Sequence, residues 1–152
     1  MRKMMRIARD ACVLVTDGRK FLYFRNDGDA DFPNLKIVRK RVNPNPADRL
    51  QKSDAPGRTY SSSLSGSRRS AFSETDFHQK SEDAFAMAAA EFLREQALAG
   101  EFQSLIVVAP PRTLGELRKH YHDEVSRRLA AEIPKDLVKH PVAEIESIIA
   151  QS

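Results

Sequence analysis

Seven basic side chains on one connection are the first candidates for chemistry. Lys36, Arg39, Lys40 and Arg41 close a strand-like run, and Arg58, Arg68 and Arg69 follow in the polar stretch after it. Clustered guanidinium and ammonium groups contact phosphates. Tyr60 and Phe72 lie among them and offer ring faces on which bases stack. The whole chain carries 25 Lys and Arg against 21 Asp and Glu, a net charge of +4. That mild excess permits RNA, DNA or anionic lipid as a partner without demanding one, and an ordinary solvated surface also accounts for it.

Other chemistries find less support. Asp10 and Asp17 flank the first strand-like run, and Glu82, Asp83 and Glu91 fall on a long helical stretch. A divalent-metal nuclease needs several carboxylates around its ions. The run SLIVVAPPR supplies no acid at its C-terminal end, so that set lacks a member. His120 and His122 are spaced i, i+2, which on a helix turns them about 200° apart and away from a shared ion. His140 precedes a proline at a helix start and reads as a positioning residue. No G-x-S-x-G elbow, phosphate-binding P-loop or G-x-G-x-x-G is present. The expectation is a non-enzymatic chain with no metal and no cofactor.

Cys12 is the one cysteine and lies in ACVLV, so it reads as a core residue and excludes an intrachain disulfide. That suits a reducing compartment. No apolar run approaches the roughly 20 residues of a membrane span. The basic start, with Arg2, Lys3, Arg6 and Arg9, lacks the apolar core of a secretory signal. A cytoplasmic location is expected.

The elements that must position these residues follow from periodicity. With 41% hydrophobic and 30% charged residues, 152 residues suffice for a single α/β domain, 1–152, with a real core. Residues 11–16 are apolar on both alternating faces and predict a central strand. Asp17-Gly18 predicts a two-residue hairpin with Gly18 at positive φ, and 21–25 returns as the second strand. Asn26-Asp27-Gly28-Asp29 is a turn. The third strand is 35–42, with Leu35 and Ile37 on one face and Lys36 and Lys40 on the other.

Residues 43–75 form a long irregular loop with Pro44, Pro46, Pro56, Gly57 and Gly66, a length that usually signals function or disorder. Ser73 to Asp76 resembles a capping box. It opens a helix over 76–99 whose stripe of Phe77, Ala84, Phe85, Ala88, Phe92 and Ala99 faces the sheet, with Gly100 just past its end. Residues 105–109 predict a second central strand, stopped by Pro110 and Pro111. A capping box at Thr113 to Glu116 opens a helix that turns Leu114, Leu117, Tyr121, Val125 and Leu129 inward. Residues 132–138 read as a fifth strand, which Pro134 would confine to an edge, with a helical turn or plain loop as the alternative. A last helix places Pro141 at its first position and buries Val142, Ile145, Ile148 and Ile149. The order is βββαβαβα, one mixed sheet with helices on its faces.

This order resembles ribonuclease H-like folds. Two blocks carry a closer resemblance: LIVVAPPRTLGELRKHYHDEV and EIPKDLVKHPVAEIESII look like the C-terminal signature of the bacterial host attachment protein family. DACVLVTDGRKFLYFRN and SEDAFAMAAAEFL are similar to its other blocks. The resemblance implies a fold similar to the middle domain of archaeo-eukaryotic peptide-chain release factors, which is ribonuclease H-like without a nuclease site. In those factors the loop before the long helix carries Gly-Gly-Gln, which promotes peptidyl-tRNA hydrolysis. Here the loop reads Ser63-Leu64-Ser65-Gly66-Ser67, and the chain has no Gly-Gly pair. Peptide release therefore does not transfer. What the resemblance still implies is contact with ribosomal or other RNA through the loop and the basic strand end; read with the charges, that places it on Lys36, Arg39, Lys40, Arg41, Arg58, Arg68 and Arg69, and reversing Arg68 and Arg69 is expected to weaken it. The alternatives are a protein-interaction or surface-attachment factor for host cells, and the metal nuclease.

Overall fold

The two runs that are apolar on both faces sit side by side at the centre of one mixed sheet. The computed structural model describes residues 5–44 and 70–152. In chain order the elements are β1 (Cys12–Thr16), β2 (Lys20–Asn26), β3 (Leu35–Val42), α1 (Ser70–Leu98), β4 (Leu105–Val108), α2 (Pro111–Arg118), α3 (Asp123–Arg128), β5 (Leu129–Ile133) and α4 (Val142–Ala150). The sheet order is β3-β2-β1-β4-β5. β1 pairs antiparallel with β2 and β2 with β3, while β1, β4 and β5 are parallel. Every residue of β1 and of β4 is buried. The chain is thus an α/β protein with a five-stranded mixed sheet.

Strand alternation sorts the core into two layers. Cys12, Leu14, Phe21, Tyr23, Leu105 and Val107 meet α1, α2 and α3 through Phe85, Ala89, Phe92, Leu93, Leu117 and Val125. Val13, Val15, Phe24, Leu35, Ile106, Val108 and Ile133 meet Ile145 and Ile149 of α4, with Ile7, Leu137 and Val138. Burying this apolar area is the main stabilising term.

Several expectations are corrected. The long helix begins at Ser70 rather than 76. No Gly or Pro occurs from 70 to 98, so nothing stops the helix extending backwards. The side chains of the expected cap at 73–76 lie outside the described set. The buried stripe of α1 is Phe85, Ala86, Ala89, Ala90, Phe92, Leu93 and Ala97, while Phe77, Ala84 and Ala99 are exposed. The C-terminus of α1 matches expectation: Gly100, at φ 72, donates to Ala97 O and Glu101 donates to Gln96 O, a Schellman closure.

The expected single helix after β4 is two, giving βββαβααβα. α2 starts at Pro111 with Pro110 as its N-cap, not at Thr113, because proline's fixed φ suits the first turn. It ends where Lys119 and His120 donate to Glu116 O and Leu117 O in tight i→i−3 bonds. His122 then caps α3, its Nδ1 accepting from Glu124 N at 3.0 Å. β5 is an edge strand, as expected, but spans Leu129–Ile133 rather than 132–138, so Leu129 opens the strand instead of lying on the helix, and Pro134 terminates the strand instead of lying within it. Pro141 is the N-cap of α4 rather than its first residue, and Val142 stays exposed.

The β1–β2 turn also differs. Gly18 is not at positive φ. The Asp17 carboxylate closes the turn instead, accepting from Arg19 N and Lys20 N, both at 2.8 Å. A Cβ at Gly18 would meet the Glu82 side chain of α1, which would have to swing aside to admit it.

Cys12 is fully buried and free, and burial pushes its thiol above the ordinary 9.0. Burial also raises Tyr23 and Tyr121 above the ordinary 10.0, reinforced by the Cys12 thiol beside Tyr23 and the Glu132 carboxylate beside Tyr121. The Tyr23 hydroxyl is buried with the Cys12 thiol, a weak partner, beside it and no hydrogen bond of good geometry. The folded protein therefore keeps these protons to higher pH than the unfolded chain does, and stability falls as pH rises through the unfolded values. The urea midpoint is expected to hold to about pH 8 and to decline steadily from about pH 9 to 11. Tyr23→Phe should be neutral or stabilising at pH 7, since it removes a poorly satisfied buried group, and should flatten part of the decline. A midpoint unchanged up to pH 11 contradicts this.

Candidate nucleic-acid interface

The four described cations of the expected site all lie on β3, an edge strand. Their arrangement is not the simple alternation expected. Tyr23 pairs with Arg39 and Phe24 with Ile37, so Val38 is an extra residue and the register shifts. The bulge changes the face on which the later residues fall. Lys36 lies opposite Arg25, Arg39 opposite Tyr23 and Arg41 opposite Phe21, all on the α1 side of the sheet. Lys40 lies opposite Leu22, on the α4 side with Leu35 and Ile37. Three cations therefore share one face, and Lys40 is separated from Lys36.

The two guanidinium groups are seated on rings. Arg39 Cζ is 5.4 Å from the Phe92 centroid, and Arg41 Cζ is 5.4 Å from Phe21 and 5.8 Å from Phe92. The rings form a platform of their own: Phe92 lies 5.1 Å from Phe21 and meets Tyr23 edge-on at 4.9 Å. Each such contact contributes about 0.5–1 kcal/mol at an exposed site and restricts the arginine's rotamers. Among the described residues none of Lys36, Arg39, Lys40 and Arg41 has an acidic partner, whereas Arg25, Arg94, Arg118, Arg127 and Arg128 are all paired with glutamates. Lys36, Arg39, Lys40 and Arg41 thus make a run of cations on one strand without acidic partners among the described residues. Arg19 and Lys20, at the end of the neighbouring hairpin, extend it.

Two anchors hold the strand. Leu35 N donates to Glu146 Oε2 of α4 at 2.7 Å. At the other end Asn43 Nδ2 donates to Ser81 Oγ of α1 at 3.1 Å, and Asn43 N donates to Arg19 O at 2.7 Å.

The remaining expected residues fall elsewhere. Arg58, Tyr60, Arg68 and Arg69 lie outside the described residues, as does the Phe72 side chain. The acids weighed for metal chemistry are dispersed: Asp17 closes its turn, Asp83 accepts from Gln79 at 2.8 Å, and Glu91 pairs with Arg94 at 2.8 Å. Asp10 occupies a turn at φ 64. Among the described residues no three His, Cys, Asp or Glu side chains converge on a metal-sized site. His120 lies 3.5 Å from Glu116 and His140 the same distance from Glu144. Among the described residues no helix is long and apolar enough to cross a membrane. Sequence reasoning missed Phe21 and Phe92 as the guanidinium platform; only the cross-strand register of Arg41 on Phe21 would have found it.

Three comparisons bear on identity. No curated protein matches the chain. Among solved structures, the crystal structure of the archaeal translation termination factor aRF1 is similar, with a TM-score of 0.45 and 10% identity over 93% of this chain. The matched region is 35% of that protein's length, so this chain spans about a third of it. A family model matches residues 10–149, nearly the whole chain, and on that match the protein belongs to bacterial archaeo-eukaryotic release factor family 12.

Proposed function

We propose that this protein is a non-catalytic, translation-associated factor that contacts ribosomal or other RNA through the cationic face of β3. One observation carries the reading: Lys36, Arg39 and Arg41 share a face without acidic partners among the described residues, and two of them are braced on Phe92 and Phe21. Braced guanidinium groups lose little freedom on meeting phosphate. Membership of a release-factor family supports a place in translation. The strand order β3-β2-β1-β4-β5, with β2 antiparallel, supports a ribonuclease H-like arrangement. Peptide release through Gly-Gly-Gln is not part of the proposal, since the chain has no Gly-Gly pair. A cytoplasmic site of action follows from the reading.

A second reading rests on Ile37, Val38 and Val42, which are 55%, 48% and 58% exposed on the open edge strand. Such an edge also suits a protein partner, including one used in host attachment. Salt separates the two, because phosphate contacts weaken steeply with ionic strength.

Co-sedimentation with ribosomes at low and moderate salt tests the proposal. The wild type is expected to pellet at low salt and to be partly released at moderate salt. Arg39→Glu/Arg41→Glu should weaken retention about tenfold or more, with a thermal melt to show that the fold persists. Failure of the wild type to pellet at low salt, or retention indifferent to the double reversal, overturns the proposal.

A further inference from the structure

A groove of about 510 Å³ lies between the end of β3 and the N-terminal half of α1, with Arg41 at its lip. Val42, Phe77, Ala84, Phe85 and Ala88 line it, so its wall is largely apolar. Phe77 is 46% exposed, a large ring left facing the space. Arg41 belongs both to this groove and to the cationic face.

We propose that the groove takes an unpaired nucleotide of single-stranded RNA, its base against Phe77 and its phosphate on Arg41, the strand continuing toward Arg39 and Lys36. This deepens the RNA-contact reading and rests on it. Residues i and i+2 of a strand are about 6.6 Å apart, a spacing similar to that of successive phosphates in an extended RNA strand. The Val38 bulge puts Lys36, Arg39 and Arg41 on the face that leads into the groove. An apolar, aromatic-lined cleft at the end of a row of cations is the combination used for stacked bases and their backbone. A duplex keeps its base faces stacked and offers none of them to Phe77. Charge complementarity selects a polyanion over a neutral or basic peptide as occupant, since the cations of this face have no acidic partner among the described residues; the apolar ring-lined wall suits an unpaired base of RNA.

The chain has no tryptophan, so Phe77→Trp places a single reporter in the groove. Hexa-adenylate is expected to quench it saturably. A short RNA duplex should bind the protein without quenching. Phe77→Ala should weaken hexa-adenylate about tenfold and leave duplex binding unchanged; a thermal melt of both variants checks the fold. If wild type binds neither RNA, the RNA-contact reading itself fails. If it binds both but the tryptophan is silent and Phe77→Ala binds hexa-adenylate normally, only the groove proposal fails. Quenching by an alternating Glu-Leu peptide and not by RNA makes the groove a peptide site and overturns the groove proposal.

Discussion

Asn26→Ala is expected to destabilise the fold by about 3–4 kcal/mol, the largest effect of any polar substitution in the described chain. Asn26 is fully buried at the end of β2. Its Nδ2 donates to Ile7 O at 2.9 Å, Ala8 O at 3.1 Å and Asp29 O at 3.4 Å. Its Oδ1 accepts from Gly28 N at 2.9 Å and Asn34 N at 2.8 Å. One amide therefore ties the N-terminal segment to the β2–β3 loop, and that loop sets where β3 begins. Alanine leaves two N–H groups without an acceptor and several carbonyls without a donor, each a loss of about 1–3 kcal/mol where water cannot replace the partner. Asn26→Asp has the same shape and keeps both acceptor bonds, but turns a carboxylate toward carbonyl oxygens; it should be at least as damaging at pH 7. Urea denaturation of the three proteins provides the check. A loss below about 1 kcal/mol for alanine means that water or loop movement satisfies the freed groups.

The contrast between β4 and β3 explains how far the sequence could be read. β4 is apolar at each position, and a run apolar on both faces has one place in a sheet covered on both sides. Its position depended on composition alone. β3 was found with its observed ends, because a loop and a turn delimit it, but its faces were not. The extra residue is Val38, and nothing in LKIVRKRV marks a bulge: there is no Gly or Pro, and valine pairs well in regular strands. One undetected residue then moved Arg39 and Arg41 to the other face from the one that period-2 alternation gives them. The helix boundaries failed for a related reason. Polar caps at 73–76 and 113–116 are locally plausible, but uninterrupted helix propensity overrode the first and Pro111 the second. Gly100 was legible because a left-handed C′ residue is a local requirement. The platform under the arginines was not, because it joins β2, β3 and α1, which are distant in sequence and meet only in the folded sheet.

Phe92→Ala is expected to cost about 3–5 kcal/mol of stability and to release the cationic face at the same time. Phe92 is buried in the layer between the sheet and α1, in ring contact with Phe21 and Tyr23. The same ring carries Arg39 and shares Arg41 with Phe21. Alanine opens a cavity and removes the platform together, so a binding defect in that variant says little about mechanism. Phe92→Leu separates the two effects. It keeps most of the volume and should cost only about 1–1.5 kcal/mol, but leaves no π-face for a guanidinium. RNA or ribosome retention by Phe92→Leu should therefore fall although β3 keeps all its charges. A double-mutant cycle of Phe92→Leu with Arg39→Gln should return a coupling of about 0.5–1 kcal/mol in stability. Zero coupling would show that the arginine rests on the ring without interacting with it. Normal retention by a folded Phe92→Leu protein would mean that the charges alone, free to move, suffice for binding, and the bracing would then have no part in recognition.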